Sequence, residues 1–189
     1  VRLVLGNQEK MNLSEHLILL EKDEGNRVIT PSFQRGSFET PVIPKASRED
    51  NRGKQKVIKE FRTRTSLKIQ DGCDFMCSFC IIPFARGRSR YRNHENLMKE
   101  AKLLCDEGVK EIVLTGVNIG TYQENGKNLL DIIDALHRLE GPERIRISSI
   151  EPTTVPDGIL ERMTDSQHKL VPFLHLPVQS GSDSILQKM

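Results

Sequence analysis

Cys73, Cys77 and Cys80 fall within eight residues, inside the run DGCDFMCSFCIIP from Asp71 to Pro83, and the 189-residue chain has only one other cysteine, Cys105. Thiols this close either exchange disulfides or bind metal as thiolates. A redox pair would need only Cys77 and Cys80, leaving Cys73 without a purpose. A structural zinc site takes four ligands, commonly as two separated pairs. No second pair is present, so zinc would have to borrow Cys105 or His94. Cys105 lies among Leu103, Leu104 and Val109, where a free thiol behaves as a small core hydrophobe. Three thiolates suit a 4Fe-4S cube whose fourth iron stays open to the amine and carboxylate of a substrate. Gly72 lets the backbone turn tightly into the loop, and loop amides can donate to cluster sulfides. Phe79, Ile81, Ile82 and Phe84 could form a dry wall that limits solvent access. The same four residues would serve equally well as ordinary core.

The elements that must position this loop follow a βα rhythm from Ser66 onward. SLKIQ reads as a strand entering the cysteine loop. NHENLMKEAKLLCDEG reads as an amphipathic helix with Asn93 as N-cap and Gly108 as its stop. EIVLTG is a short apolar strand, NLLDIIDALHRLEG a second helix closed by Gly141, and RIRISSI a third strand. VPDGILERM predicts a helix with Pro156 near its start, VPFLHLPV a fourth strand, and a last helix begins after Ser182. The fold class is α/β, with parallel strands expected to be buried on both faces. Before Ser66 the pattern changes. NLSEHLILLEKD predicts one helix capped by Asn12 or Ser14, and residues 23–64 are polar, with Pro31, Pro41 and Pro44 and little periodicity.

Composition is that of an ordinary globular chain, 37% hydrophobic and 29% charged with no Trp, and no run approaches the roughly 18 apolar residues of a membrane span. The N-terminus lacks an initiator Met and an apolar signal region. A chain that opens on Val1 and stops at Met189 inside a helical pattern reads as a piece of something longer. The tight cysteine spacing does not suit a disulfide framework and points to a reducing, cytoplasmic setting. Net charge is only +2, but basic residues cluster at Arg48, Arg52, Lys54, Lys56, Lys59, Arg62 and Arg64, and again at Arg86, Arg88, Arg90 and Arg92 around Tyr91. Such clusters suit a phosphate-bearing partner, though a solvated charged face is the commoner use of any one of them.

Cys-x3-Cys-x-aromatic-Cys after the first strand of a βα series resembles the signature of radical S-adenosylmethionine (SAM) enzymes. That resemblance implies that the open iron chelates the methionyl group of SAM and reductively cleaves the sulfonium to a 5′-deoxyadenosyl radical, with Phe79 lying against the adenine. VLGNQEKMNL, LKIQDGCDFMCSFCIIPFARGRSRYR, GVKEIVLTGVNIGTY and HLPVQSGSDSILQKM resemble, more narrowly, the radical SAM methylthiotransferases. The implied fold is a partial (β/α) barrel with parallel strands, preceded by the end of an N-terminal α/β domain. Residues 1–45 would be the end of that domain, 46–64 a basic linker and 65–189 an incomplete radical SAM domain. Ligands of α/β barrels gather at the C-terminal ends of strands. On that basis Thr115, Gly116, Asn118, Ser148, Ser149, Glu151, His175, Gln179, Ser180 and Gly181 are candidates for contact with SAM or substrate. His175, flanked by Leu174 and Leu176, also reads as a core histidine.

Family members methylthiolate adenosine 37 of tRNA after its conversion to the threonylcarbamoyl or isopentenyl derivative, or a ribosomal-protein aspartate. RISSIEP and CIIPFARGRSR are most similar to the threonylcarbamoyl branch. The implied partners are tRNA, met by Arg86, Arg88, Arg90 and Arg92, and an electron donor such as flavodoxin or ferredoxin, with no membrane involved. The family carries a second 4Fe-4S cluster on three further cysteines, whereas residues 1–72 hold none. The expectation is therefore one cluster on this polypeptide and incomplete methylthiolation by it alone. A half-barrel with an open edge strand is also expected to associate or to be poorly stable. The alternative of another class is a zinc-binding nucleic-acid module without catalysis.

Overall fold

The computed structural model describes residues 2–6, 9–22, 25–29, 36–42, 47–49, 55–57 and 63–189. In chain order, β1 (Leu3–Leu5) pairs in parallel with β2 (Arg27–Ile29) across α1 (Leu13–Glu21). Asn12 is the residue before α1, as expected, but its side chain makes no capping bond. β3 (Gly36–Phe38) follows, then an antiparallel pair, β4 (Ser47–Glu49) and β5 (Gln55–Val57). Most of the basic stretch from 46 to 64, including Arg52, Lys54, Lys59 and Arg62, lies outside the described residues.

From β6 (Arg64–Lys68) the βα rhythm is realised. β7 (Gln70–Asp71), α2 (Ile82–Ala85) and β8 (Arg90–Arg92) frame the cysteine loop. Next come α3 (His94–Asp106), β9 (Glu111–Thr115) and a small hairpin, β10 (Gln123–Glu124) and β11 (Lys127–Asn128). α4 (Leu129–His137), β12 (Arg144–Ile147), α5 (Ile159–Thr164) and α6 (Asp183–Leu186) complete the order. Asn93 caps α3 by accepting from the Asn96 amide, and Asn128 with Asp131 forms a capping box on α4, each satisfying orphan amides of a first turn. α5 starts after Gly158, two residues beyond Pro156.

β6, β9 and β12 form a parallel sheet in the order β12–β9–β6, with Leu67, Leu114 and Ile147 in register. Thr65, Ile112 and Ile145 form the next row on the same face. That face meets Leu97, Ala101 and Leu104 of α3, Leu129, Ile132, Ile133 and Leu136 of α4, and Ile159 and Met163 of α5 in one core. Burial of this continuous apolar area is the main force that holds the sheet. The opposite face is not dry. Its rows carry Arg64, Glu111 and Arg144, then Ser66, Val113 and Arg146, and Glu111 is held there by Arg64, Arg144 and Arg146 at 3.4, 3.0 and 2.9 Å. Burial on both faces, expected for a parallel sheet, is met on one. The three strands form an open sheet, with the helices packed on its apolar face and the polar rows on the other.

The run 171–178 is not a strand. Two isolated bridges lie here, Ile145 of β12 with Leu170 just before the run and Ser149 beyond β12 with His175 inside it. Pro172 and Pro177 lack the amides that a ladder needs. No helix of the described residues is long and apolar enough to cross a membrane.

Candidate metal centre

The cysteine loop is an excursion from the C-terminal end of the first sheet strand, closed at its base by a short antiparallel ladder. Gln70 pairs with Tyr91 and Asp71 with Arg90, and β3 lies parallel on the far side of β8. Gly72 makes the closure possible. Its φ is +71°, and a Cβ there would lie 2.1 Å from the Arg88 carbonyl oxygen and 2.7 Å from that of Gly87. Just beyond it the Cys73 amide donates to Gly87 O at 3.1 Å.

Asp71 is the electrostatic clasp of this base. Its buried carboxylate receives Lys68 at 2.9 Å and Arg86 and Arg90 at 3.3 Å each, and it accepts the Gly72 amide at 3.0 Å. Burial works against its ionisation, but the Lys68 hydrogen bond and charge, with the Gly72 amide and Arg90, hold its pKa below the usual carboxylate value. Lys68 and Arg90 also sit 5.6 and 5.5 Å from the Phe38 ring centroid, at cation–π range.

All three loop thiols are half-buried. Burial pushes the Cys73 thiol pKa up, the neighbouring Cys77, Cys80 and Asp74 push it further, and the Phe75 amide, 3.4 Å from Cys73 Sγ, pulls the other way. Among the described residues no three His, Cys, Asp or Glu side chains meet at a point that would hold a single metal ion. A cluster of several irons, with Cys73, Cys77 and Cys80 as its ligands, would not require such a common point. The expected dry wall is instead an apolar rim. Phe79 is 54% exposed, and Ile81, Phe84, Phe75 and Met76 are exposed with it, while Ile82 is half-buried. The chain returns to this rim after α6, where Met189 O accepts the Ser78 amide at 2.7 Å.

Of the other candidates, Gly116 and Asn118 follow β9 and Ser149 and Glu151 follow β12, at the same end of the sheet, whereas His175, Gln179 and Ser180 belong to the irregular segment between α5 and α6. Gly116 packs on Gln70, with a Cβ placed 3.0 Å from Gln70 Cβ and O. Asn118 is buried, and its Oδ1 accepts from Thr154 Oγ1 at 3.0 Å while its Nδ2 has no protein partner. Ser149 is exposed and its Oγ lies 2.7 Å from His175 Nδ1. His175 is thus exposed and paired, not a core histidine. Glu151 is half-buried at the head of a 3-10 turn. Gln179 is exposed with φ +61° at the centre of a tight turn in which the Ser180 amide donates to Val178 O at 2.6 Å, a strained conformation for a residue with a Cβ. Ser180 Oγ accepts the Ser182 amide at 3.1 Å.

The four arginines separate. Arg92 is 1% exposed and its guanidinium is consumed by Glu100, Asn96 and Lys68 O. Arg90 is mostly buried against Asp71, whereas Arg86 and Arg88 are 46% and 40% exposed. The extra ligands that a zinc site would borrow are engaged elsewhere. Cys105 Sγ donates to Ala101 O at 3.0 Å, and His94 Nδ1 lies 2.9 Å from Lys127 Nζ. Residues that spacing alone does not single out are Gln70, Asp71, Ser89, Thr121 and Thr154, the polar groups that tie the loops together. Their one signal in the sequence is the polar pair Gln70–Asp71, placed where an apolar strand should run on into the loop.

Residues 67–189 match the family model of the radical SAM superfamily. The chain is 50% identical over 133 residues to the threonylcarbamoyladenosine tRNA methylthiotransferase MtaB of Bacillus subtilis, an alignment covering 68% of this chain and 29% of that protein. It is 36% identical over 188 residues to the MtaB of Chlamydia pneumoniae, covering 98% of this chain and 42% of the relative. It is 37% identical over 191 residues to the tRNA-2-methylthio-N(6)-dimethylallyladenosine synthase of Cereibacter sphaeroides, covering 100% of this chain and 40% of the relative. The chain thus spans between 29% and 42% of the length of these relatives. Superfamily membership implies a 4Fe-4S cluster and SAM as cofactors. With a sheet of parallel strands and a three-cysteine loop at its C-terminal end, the chain belongs to the radical SAM superfamily and groups within it with the methylthiotransferases.

Proposed function

We propose that the protein adds a methylthio group to N6-threonylcarbamoyladenosine at position 37 of tRNA, with Cys73, Cys77 and Cys80 as the ligands of a 4Fe-4S cluster. The observation that carries the proposal is the loop itself: three half-buried thiols on one excursion at the C-terminal end of a parallel sheet. The residues present fit such a group. The three half-buried thiols share one loop, an amide already donates to one sulfur, and the loop between and just after them carries Phe75, Met76, Phe79 and Ile81. When bound, the cluster and SAM supply one-electron reduction and hydrogen abstraction from an unactivated carbon.

The chain's own residues position and shield. The Asp71 clasp keeps the loop base shut, and the exposed apolar rim of Phe75, Met76, Phe79, Ile81 and Phe84 is a surface against which SAM or substrate is proposed to pack. Gly116, Asn118, Ser149 and Glu151 from the strand-end loops, and Gln179 and Ser180 from the irregular segment before α6, are proposed to contact SAM or substrate. Arg86 and Arg88, the exposed pair, are proposed to meet tRNA phosphates, and a one-electron donor such as flavodoxin or ferredoxin completes the system. Residues 1–45 are read as the end of a preceding domain and 46–64 as a linker, in keeping with a family match that begins at residue 67. The 50% identity to a threonylcarbamoyl-specific relative supports this substrate. The alignment of the whole of this chain to 40% of a dimethylallyladenosine synthase supports isopentenyladenosine as the second reading.

The test is anaerobic reconstitution of the wild type and Cys77→Ala with iron and sulfide, followed by nucleoside mass spectrometry of tRNA from cells lacking the gene and cells complemented with it. The expected result is about four irons per chain, lost in the variant, and a methylthio mark on threonylcarbamoyladenosine. A colourless protein with one zinc overturns the proposal, and a mark confined to isopentenyladenosine transfers it to the second substrate.

A further inference from the structure

Gln70 is fully buried, and both ends of its carboxamide are in use. Nε2 donates to Gly72 O at 2.8 Å, Ser89 Oγ at 2.9 Å and Asp71 O at 3.1 Å. Oε1 accepts the amides of Val117 and Asn118, both at 2.8 Å. Every bond on the nitrogen side goes to the base of the cysteine loop, and every bond on the oxygen side goes to the loop after β9. The contact is close as well as bonded, because a Cβ at Gly116 would meet Gln70 at 3.0 Å. The bonds continue outward. Thr154 Oγ1 lies 3.0 Å from both Asn118 Oδ1 and Glu151 O, its one proton available to either, and Ser89 Oγ lies 3.3 Å from Thr121 Oγ1. One side chain therefore joins the cysteine loop to the second strand-end loop, and through Asn118 to the third.

We infer that Gln70 is a positioning residue that sets the separation of the cluster-bearing loop from the loop after β9. The inference rests on the proposed reading of those loops as the cluster and SAM sites. A residue that only filled space would need the shape of glutamine and not its two unlike ends. The donor and acceptor halves can be removed separately. Gln70→Glu keeps an acceptor for Val117 and Asn118 but sets a second oxygen against the carbonyls of Asp71 and Gly72. Gln70→Met keeps the bulk and makes neither set of bonds.

Amide hydrogen exchange on the iron-free full chain reads the linkage directly. In Gln70→Met, Val117 and Asn118 are expected to exchange about tenfold faster or more, the equivalent of one lost buried bond. In Gln70→Glu these two amides stay protected while Cys73 at the loop base exchanges faster. After reconstitution, Gln70→Met is expected to hold as much iron as the wild type but to bind SAM about tenfold more weakly in equilibrium dialysis. The electron paramagnetic resonance spectrum of its reduced cluster should respond to SAM only at about tenfold higher SAM concentration. Wild-type exchange at Val117 and Asn118 together with wild-type SAM affinity in Gln70→Met overturns the inference. If Gln70→Met does not fold, the opposed pattern of protection in Gln70→Glu decides. A wild type that takes up no iron defeats the proposed function instead, and the exchange data still judge Gln70.

Discussion

Replacing Arg92 with Met tests whether the second arginine cluster is partly architecture. The Arg92 side chain is 1% exposed. Its Nε donates to Asn96 Oδ1 at 2.7 Å, Nη1 to Lys68 O at 3.3 Å and Nη2 to Asn96 O at 3.4 Å, and Glu100 completes the fork as an ion pair. Methionine follows the aliphatic stem with little change of volume, so the cavity contribution is small. The cost lies in what is left behind. Glu100 is 26% exposed and can turn to water, so its share is discounted. Asn96 Oδ1 keeps the Thr40 amide at 3.2 Å, so the cost falls chiefly on Lys68 O, a buried acceptor whose loss of its charged donor costs about 1–3 kcal/mol. A total of about 3 kcal/mol follows, at the low end of the range for removing one partner of a buried ion pair. For a chain of this size that lowers the melting temperature by about 6–12 °C. Arg92→Lys restores the charge opposite Glu100 but not the planar fork, so its melting point should fall between the two. Thermal unfolding followed by circular dichroism reads all three proteins. An Arg92→Met protein melting within about 2 °C of the wild type would refute the structural assignment, and weakened tRNA binding in that same protein would return Arg92 to the phosphate contacts.

Two further outcomes follow from the loop base and the helix pair. Gly72→Ala would place a methyl group 2.1 Å from Arg88 O in a backbone with φ +71°, a clash with main chain that no rotamer relieves. Chymotryptic cleavage after Phe75, Phe79 and Phe84 should therefore rise about tenfold or more as the loop base opens; unchanged cleavage would show that the base does not depend on this close approach. His168 stacks on His137 with centroids 4.2 Å apart and faces Asp134 at 3.6 Å, while Arg162 grips the same carboxylate at 2.6 Å. Burial, then the His137 charge, holds the His168 pKa below 6.5 against the pull of Asp134. The folded chain thus binds fewer protons than the unfolded one just below that value, so this stability is present above it and lost as pH falls. The melting temperature should drop on acidification from about pH 7 to pH 5, and His168→Asn should flatten that drop; an equal drop in the variant would assign the pH dependence to other groups, such as His94.

Where the sequence is legible, a single segment carries its own pattern. The helix over His94–Asp106 follows from one amphipathic period and its Asn93 cap, and β9 and β12 from short apolar runs. The cysteine triad is legible because its chemistry lies in spacing alone. The fourth strand fails because Pro172 and Pro177 break the ladder inside a run whose apolar content still reads as strand. Arg92 misleads for a different reason. Alternate arginines look like a basic face, but β8 sends Arg92 inward to Glu100, a partner supplied by the next helix. The clasp of Gln70 and Asp71 is invisible because it depends on an antiparallel return by residues about twenty positions later, and no local period encodes that meeting.

That return explains why the base of the loop is polar. β7 has two residues and β8 three, too few ladder bonds to fix register alone, and a slip of one residue would turn Gln70 and Asp71 to opposite faces. Apolar packing would close the loop but, being non-directional, would tolerate that slip. Asp71 satisfies Lys68, Arg86 and Arg90 only in the observed register, and Gln70 reaches Ser89 and the Val117 amide only from the same one. The directional bonds thus do for two short strands what hydrophobic alternation does for longer ones. They do it one residue from Gly72 and two from Cys73, so the place where the first thiol enters the loop is set by side chains that touch no sulfur.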